Sequence, residues 1–297
     1  MQTLEIVHRT RYEYSEPVTL EEYRLMFRPR DSHDLRLLHT SLEIEPKAEV
    51  RWIHDPFGNS VGIASFFVQA QVLEFVSTIR LEHFGVPPNL WPLEGYALKL
   101  PFSYLAEEAP DLSRCVERHF PDGGIVSNWA KQFLEGERGP DTFATLVRMC
   151  RGIQQGLTYA MRFESGTQPP ALTLETAGGT CRDFALLMME GARSLGLAAR
   201  FVTGYLHDPG YVAISTAVSP AYPHAWVEVY LPGAGWVEFD PTNGAVGAEH
   251  LIRVAVGRDP EQTMPIRGTF RGARNITINS VVDVQVRQFV PGALSAR

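Results

Sequence analysis

Gly178-Gly179-Thr180-Cys181-Arg182-Asp183-Phe184-Ala185-Leu186-Leu187-Met188-Met189 is the stretch on which the reading of this chain turns. Two glycines, a hydroxyl residue and a cysteine run straight into an apolar series. Ala185, Met188, Met189 and Ala192 fall at i, i+3, i+4 and i+7, the spacing of one buried helix face. Thr180 suits an N-cap, and Asp183 three residues on completes a capping-box pattern with Asp in place of Glu or Gln. Gly196 is the expected C-terminal stop. Cys181 then opens a buried helix, where unpaired N–H groups and the positive end of the helix dipole favour a thiolate. A free cysteine is more commonly a small buried hydrophobe, so a nucleophilic role requires a base elsewhere in the chain.

Working outward, the residues before this helix read as strands. Leu4 to Tyr14 alternates apolar and polar and is expected to end at Ser15-Glu16-Pro17. Further strand-like runs are Val18–Phe27, Leu37–Ile44, Glu49–Ile53, Val61–Gln69 and Val72–Leu81, with Asp55-Pro56-Phe57-Gly58-Asn59 as a turn between two of them. Short strands with turn signals between them point to an N-terminal β-sandwich domain over residues 1–100. A proline-spaced passage through Pro87-Pro88, Pro92, Pro101 and Pro110 reads as a linker, assigned to residues 101–125. Residues 126–297 then form an α+β core together with the C-terminal strands. Its helices are Ile125–Leu134 and one capped by Asp141, and a loop from Ser165 to Pro170 leads into the Cys181 helix.

After Ala199 the period changes to alternation. Arg200–Leu206 reads as a strand, followed by a turn at Asp208-Pro209-Gly210. His224–Leu231 and Gly235–Asp240 read as a hairpin joined through Pro232-Gly233-Ala234. The last clear strand carries Ile276, Ile278, Val282, Val284 and Val286 on one face.

A cysteine nucleophile needs a base that holds its proton and a third group that orients the base. His224 opens one hairpin strand and Asp240 closes the next. Antiparallel partners have residue numbers of constant sum. An even sum keeps His224 and Asp240 on one face, whereas an odd sum separates them. A sum of 464 is preferred, since 466 would set Glu228 across from Glu238 as a like-charge pair. Each residue alone has a plainer reading: a structural histidine, a turn-forming aspartate before proline, and a core tryptophan at Trp226. Their joint occurrence with a helix-start cysteine carries the weight.

The segments Gly179-Thr180-Cys181-Arg182-Asp183-Phe184-Ala185, Leu195–Tyr205, His224-Ala225-Trp226-Val227-Glu228-Val229 and Gly235–Asn243 together resemble the bacterial transglutaminase-like family, whose members are described as candidate cysteine proteases. Val7–Tyr14, Arg24–Arg30 and Asp55-Pro56-Phe57-Gly58-Asn59 resemble that family's N-terminal β-domain. The resemblance spans nearly the whole chain. It implies a papain-like core with Cys181, His224 and Asp240 as the catalytic residues, and Thr180, Asp183 and Trp226 as support or substrate-binding residues. The implied chemistry is acyl transfer at peptide or protein amides through a thioester. Hydrolysis, as a peptidase or amidase, is preferred over transfer to an amine acceptor because no acidic Ca²⁺-loop pattern is visible. A non-catalytic binding module is the competing class.

Composition excludes other classes. The chain has 297 residues, 44% of them hydrophobic and 21% charged, as in ordinary soluble proteins. A formal charge of −7 argues against nucleic-acid binding. Arg24, Arg28, Arg30 and Arg36 are interleaved with Glu21, Glu22, Asp31 and Asp34 and read as a solvated surface. No apolar run is long enough to suggest a membrane span, and the first residues lack the pattern of a secretory leader. Three cysteines do not make a disulfide framework, so a reducing cytoplasm is expected. The nine histidines lack His-Glu-x-x-His spacing, so neither a metal nor another cofactor is expected.

Overall fold

A computed structural model describes residues 2–85, 92–134, 139–162, 166–207, 219–221 and 223–289. Pro87-Pro88, Ser165 and the turn expected at Asp208-Pro209-Gly210 lie outside them. Strands β1 (Gln2–Arg28), β2 (Leu35–Glu45), β3 (Glu49–His54), β4 (Ser60–Ser65) and β5 (Gln69–His83) come first. Helices α1 (Ala109–Val116), α2 (Ile125–Lys131) and α3 (Thr142–Gly156) follow, then β6 (Thr158–Tyr159), α4 (Pro170–Glu175), β7 (Gly178–Gly179) and α5 (Cys181–Ser194). The chain continues through β8 (Ala199–Leu206), β9 (Ser219–Ala221), β10 (Pro223–Leu231), β11 (Gly235–Asp240), β12 (Ala245–Val246) and β13 (Leu251–Gly257), and closes with β14 (Ile266–Arg271) and β15 (Ile278–Gln288). No helix of the described residues is long and apolar enough to cross a membrane.

The N-terminal β-layers belong to one eight-stranded antiparallel sheet built on β1. Ser15-Glu16-Pro17 does not end that strand. β1 runs on through it with a register shift between Glu13 and Val18, a bulge that bends the sheet without breaking it. The first half of β1 pairs with β5 and β15, and the second half with β4 and β14. The bend lets the sheet curl over a core of its own, in which Val18, Leu20, Leu25 and Phe27 meet Leu73 and Phe75.

The C-terminal strands therefore do not belong to the catalytic unit with which the sequence reading grouped them. β15 pairs with β1 from Tyr14↔Ile278 to Leu4↔Gln288. Val284 and Val286 join Leu4, Ile6, Ile79 and Leu81 in one apolar layer of the first sheet. The presumed linker also holds structure: α1 buries Leu112 and Cys115 against the core.

The second sheet has the order β12-β11-β10-β8-β13. One face receives α5, through Ala225, Val227, Val229, Leu231, Val237 and Phe239. Tyr205, Ile252 and Val254 pack on the apolar layer of the first sheet, where the Tyr205 hydroxyl meets His8 Nδ1 at 2.9 Å. The expected face of α5 is buried at Ala185, Met188, Met189 and Ala192, but so are its polar residues. Glu190 and Arg193 form an ion pair at 3.0 Å, and Arg193 also donates to the carbonyls of Cys115, Ala199 and Arg258. The helix stops at Gly196, whose φ of 84° permits the reversing hydrogen bond from Leu197 N–H to the Ala192 carbonyl.

The hairpin of β10 and β11 pairs Val227↔Phe239, Glu228↔Glu238 and Leu231↔Gly235, a sum of 466 in place of the preferred 464. The cause is the turn. Pro232-Gly233-Ala234 makes a three-residue loop with φ of 90° at Gly233 and 76° at Gly235, as expected of a turn closed by a glycine bulge. A Cβ on Gly233 would lie 2.6 Å from the Pro92 carbonyl oxygen. The two carboxyl groups are tolerated side by side because arginines hold one of them charged and burial keeps the other neutral. Arg253 Nη1 donates to Glu228 at 2.7 Å and to Glu238 at 3.4 Å, while Arg200 Nε donates to Glu228 at 2.5 Å. Burial, and then the neighbouring Glu228 carboxylate, push the Glu238 carboxyl up to about 8, so it is protonated at neutral pH.

A carboxyl held protonated by the fold ionises earlier in the unfolded chain, so its contribution to stability falls as pH rises from the ordinary carboxylate range to about 8. Glu238→Gln removes that loss. Its melting temperature is expected to equal the wild-type value near pH 4 and to exceed it by about 2–4 °C per kcal/mol regained at pH 8. Thermal melts at the two pH values check this.

Candidate active site

Cys181 is the first residue of α5, and its position is set by the turn before it. Thr180 has the extended backbone of an N-cap. Asp183 Oδ2 accepts from both the backbone N–H and the hydroxyl of Thr180, each at 2.9 Å. The expected capping box is thus present, and Asp183 is fully buried. Its other oxygen takes Arg162 Nη2 at 3.0 Å and Gln168 N–H at 2.8 Å. Burial alone would raise the Asp183 carboxyl; these donors, Arg162 foremost, hold it below the ordinary carboxylate range. The glycine before the cap is required by close packing. A Cβ on Gly179 would come within 2.8 Å of Asp183 Cβ and 2.9 Å of Gln168 Nε2.

The first backbone donors drawn into the helix are Asp183 and Phe184, both bonded to the Thr180 carbonyl at 3.0 Å. The N–H groups of Cys181 and Arg182 precede that ladder. Cys181 itself is 8% exposed.

His224 and Asp240 meet as the even hairpin sum requires, although the register is 466. The two are diagonal neighbours on one face, and His224 Nε2 lies 2.8 Å from Asp240 Oδ2. Cys181 lies near enough to the same imidazole to act on it electrostatically. The three residues are thus grouped, with His224 bonded to Asp240 and Cys181 close by. Burial works against a charged imidazole, yet the Asp240 carboxylate, with Cys181 assisting, raises His224 to about 10. Burial likewise works against a charged Asp240, and His224 reverses it, holding the carboxyl below its ordinary range. The pair is therefore an imidazolium–carboxylate ion pair at neutral pH.

Trp226 is fully buried, with its ring 6.1 Å from the His224 ring at an interplanar angle of 26°. It backs the imidazole and offers no surface to a substrate. Of the six expected site residues, Cys181, His224 and Asp240 come together, Thr180 and Asp183 hold the helix start, and Trp226 supports the ring.

Sequence reasoning assigned no role to several residues that the structure brings to the site. Asn243 Nδ2 donates to Asp240 Oδ2 at 2.7 Å, the same oxygen that faces His224. The other oxygen accepts from the Thr242 and Asn243 N–H groups at 3.0 and 3.3 Å. Asp-Pro-Thr-Asn turn chemistry carries this signal, because a carboxylate commonly caps the N–H groups two and three residues on. Arg162 and Gln168 have no such local signal, since their role exists only once the loop before α4 folds against Asp183. Among the described residues no group of His, Cys, Asp and Glu has the arrangement of a metal site.

Comparisons with known proteins show the family and the fold. Residues 127–241 match the transglutaminase-like superfamily core, and residues 4–82 match the bacterial transglutaminase-like N-terminal region. An uncharacterized protein of Mycobacterium leprae is 34% identical over 285 residues, covering 96% of this chain and 99% of its own. One from Mycobacterium tuberculosis is 28% identical over 302 residues, covering 95% and 90%. Among solved structures, a candidate cysteine protease from Cytophaga hutchinsonii superposes with a TM-score of 0.70 at 17% identity, over 96% of this chain and 98% of that one, which establishes a shared fold. The chain belongs to the bacterial transglutaminase-like family, with a transglutaminase-like core behind that family's N-terminal region.

Proposed function

We propose that the protein is a cysteine-dependent acyl-transfer enzyme that cleaves amide bonds of peptides or proteins through a thioester, as a peptidase or amidase. The observation that carries this reading is the buried His224–Asp240 ion pair with a helix-start cysteine close enough to act on the imidazole. The description of the Cytophaga protein as a candidate cysteine protease points the same way.

In the proposed reaction the Cys181 thiolate attacks the amide carbonyl carbon and the carbonyl oxygen becomes an oxyanion. The Cys181 backbone N–H, ahead of the helical ladder, is a donor placed to receive that charge. The intermediate collapses as the C–N bond breaks and the His224 imidazolium gives its proton to the leaving amine. Water then attacks the thioester, with neutral His224 taking its proton, and the C–S bond breaks to release a carboxylic acid. Asp240 holds the imidazole by Nε2, which leaves Nδ1 for the thiol and the substrate. Asn243 and the 241–243 turn fix Asp240 in turn.

The decisive experiment measures new amino termini and ammonia released from casein, with and without methylamine. Hydrolysis is expected to give new amino termini independent of added amine; methylamine incorporation without cleavage would make the protein an amine transferase. Cys181→Ala is expected to lower turnover by at least about 10⁴-fold. Full turnover in that variant would overturn the mechanism. Iodoacetamide followed by peptide mapping is expected to label Cys181 ahead of Cys115 and Cys150, and this preference should vanish in His224→Ala. Labelling of Cys181 no faster than a model thiol would favour a non-catalytic binding role.

The pH dependence follows from the ion pair. His224 acts as an acid only while protonated, so kcat/KM is expected to fall through an alkaline limb near pH 10. Asp240→Asn removes the main interaction that raises His224 and leaves burial, which lowers it. The alkaline limb is expected to move down by about 1–3 pH units, read from a kcat/KM profile between pH 5 and 11.

A further inference from the structure

The curled N-terminal sheet does not close completely. Between its β2 and β3 strands a cavity of about 220 Å³ opens, lined by Phe27, Arg28, Leu42, Val50, Trp52 and Ser77, with Thr40 and Ser41 at its side. Its chemistry is unusual for a gap in a core, because an apolar floor is combined with three hydroxyls, a guanidinium and an indole.

Each polar group has capacity to spare. Ser77 is only 3% exposed, and it lines the cavity, where its hydroxyl can both donate and accept. Arg28 donates to the Thr40 hydroxyl, and no carboxylate among the described residues pairs with it. Its remaining guanidinium donors are open to another oxygen.

Trp52 is 46% exposed, though tryptophan normally buries its large apolar surface. It sits directly across from Gly62 in the β3–β4 pair. A Cβ at Gly62 would approach the far edge of the indole to 3.3 Å, so the ring lies down on the glycine. The ring is thereby held against the β3–β4 pair while part of it lines the cavity. This gives a rigid aromatic platform beside a row of hydroxyls and a cation at the mouth of a curled sheet, a common place for a small-molecule site.

We propose that this cavity binds a saccharide ring, stacked through its C–H face on Trp52, with ring hydroxyls bonded to Ser77, Ser41 and Arg28. An aromatic peptide side chain would stack equally well but would leave the hydroxyls and Arg28 unmatched. A polyhydroxylated ring satisfies both. The site is separate from Cys181, and its test stands whether or not Cys181 is catalytic.

The test is affinity electrophoresis of the full chain in native gels containing hydroxyethylcellulose, xylan, pullulan, glycol chitin or polygalacturonate. At least one polysaccharide is expected to retard the wild type and Cys181→Ala equally. Trp52→Ala is expected to weaken that retardation at least tenfold, with Trp52→Phe retaining part of it. Ser77→Ala, which removes one oxygen and leaves the platform, is expected to weaken it several-fold, and this covers the case in which Trp52→Ala fails to fold. Retardation by none of the five polymers would overturn the proposal. So would equal retardation of Ser77→Ala and the wild type, or competition by a phenylalanine-containing dipeptide and not by the matching free sugar.

Discussion

An imidazolium and a carboxylate held together out of water at the ends of two neighbouring strands constrain much of this molecule. Either charge alone would be costly at that depth; together, with the remaining carboxylate valences filled by Asn243 and the 241–243 turn, they are mutually stabilised. Their meeting depends on the β10–β11 register, and that register depends on the Pro232-Gly233-Ala234 loop. The loop is itself clamped, because the Glu94 N–H donates to the Pro232 carbonyl at 2.8 Å. A backbone contact in the segment after the first sheet thus helps to place a side-chain pair several residues along the hairpin.

The third member reaches the pair by a different route. Helix α5 is sunk along its length, which would leave its charged residues stranded if they had no partners. Glu190 and Arg193 answer each other, and Arg193 spends its other donors on three backbone carbonyls from three separate segments. At the opposite end Asp183 gathers donors from Thr180, Arg162 and Gln168. A helix anchored at both ends has little freedom to move Cys181 away from His224.

The two sheets divide the remaining work. The second carries the hairpin between α5 on one face and the arginine-lined carboxylate pair of Glu228 and Glu238. The first covers part of the second with Leu4, Ile6, Ile79 and Leu81, and it is completed by β15 from the far end of the chain. Chain ends that meet in one sheet tie the N-terminal region to the core with more than a linker.

Much of this was legible in the residues themselves. The 3.6-residue spacing after Thr180, the capping pattern, the alternation of β10 and β11 and the even hairpin sum are local signals, because helix and strand periodicity act over a few residues. They brought Cys181, His224 and Asp240 forward as candidates, and the fold sets His224 and Asp240 in contact with Cys181 close by. What they could not supply depends on residues far apart in sequence. The 466 register sets two carboxyl groups side by side, which becomes acceptable only when Arg200 and Arg253 arrive from other strands to hold Glu228 charged while burial keeps Glu238 neutral. The return of β15 to β1 is settled by which apolar faces remain uncovered after the core has formed. Arg162 acquires its role only when its loop reaches Asp183. The sequence determined which groups could do chemistry, since periodicity and capping are local. Tertiary structure decided which of them share a low-dielectric interior, since burial and charge compensation are properties of the assembled whole.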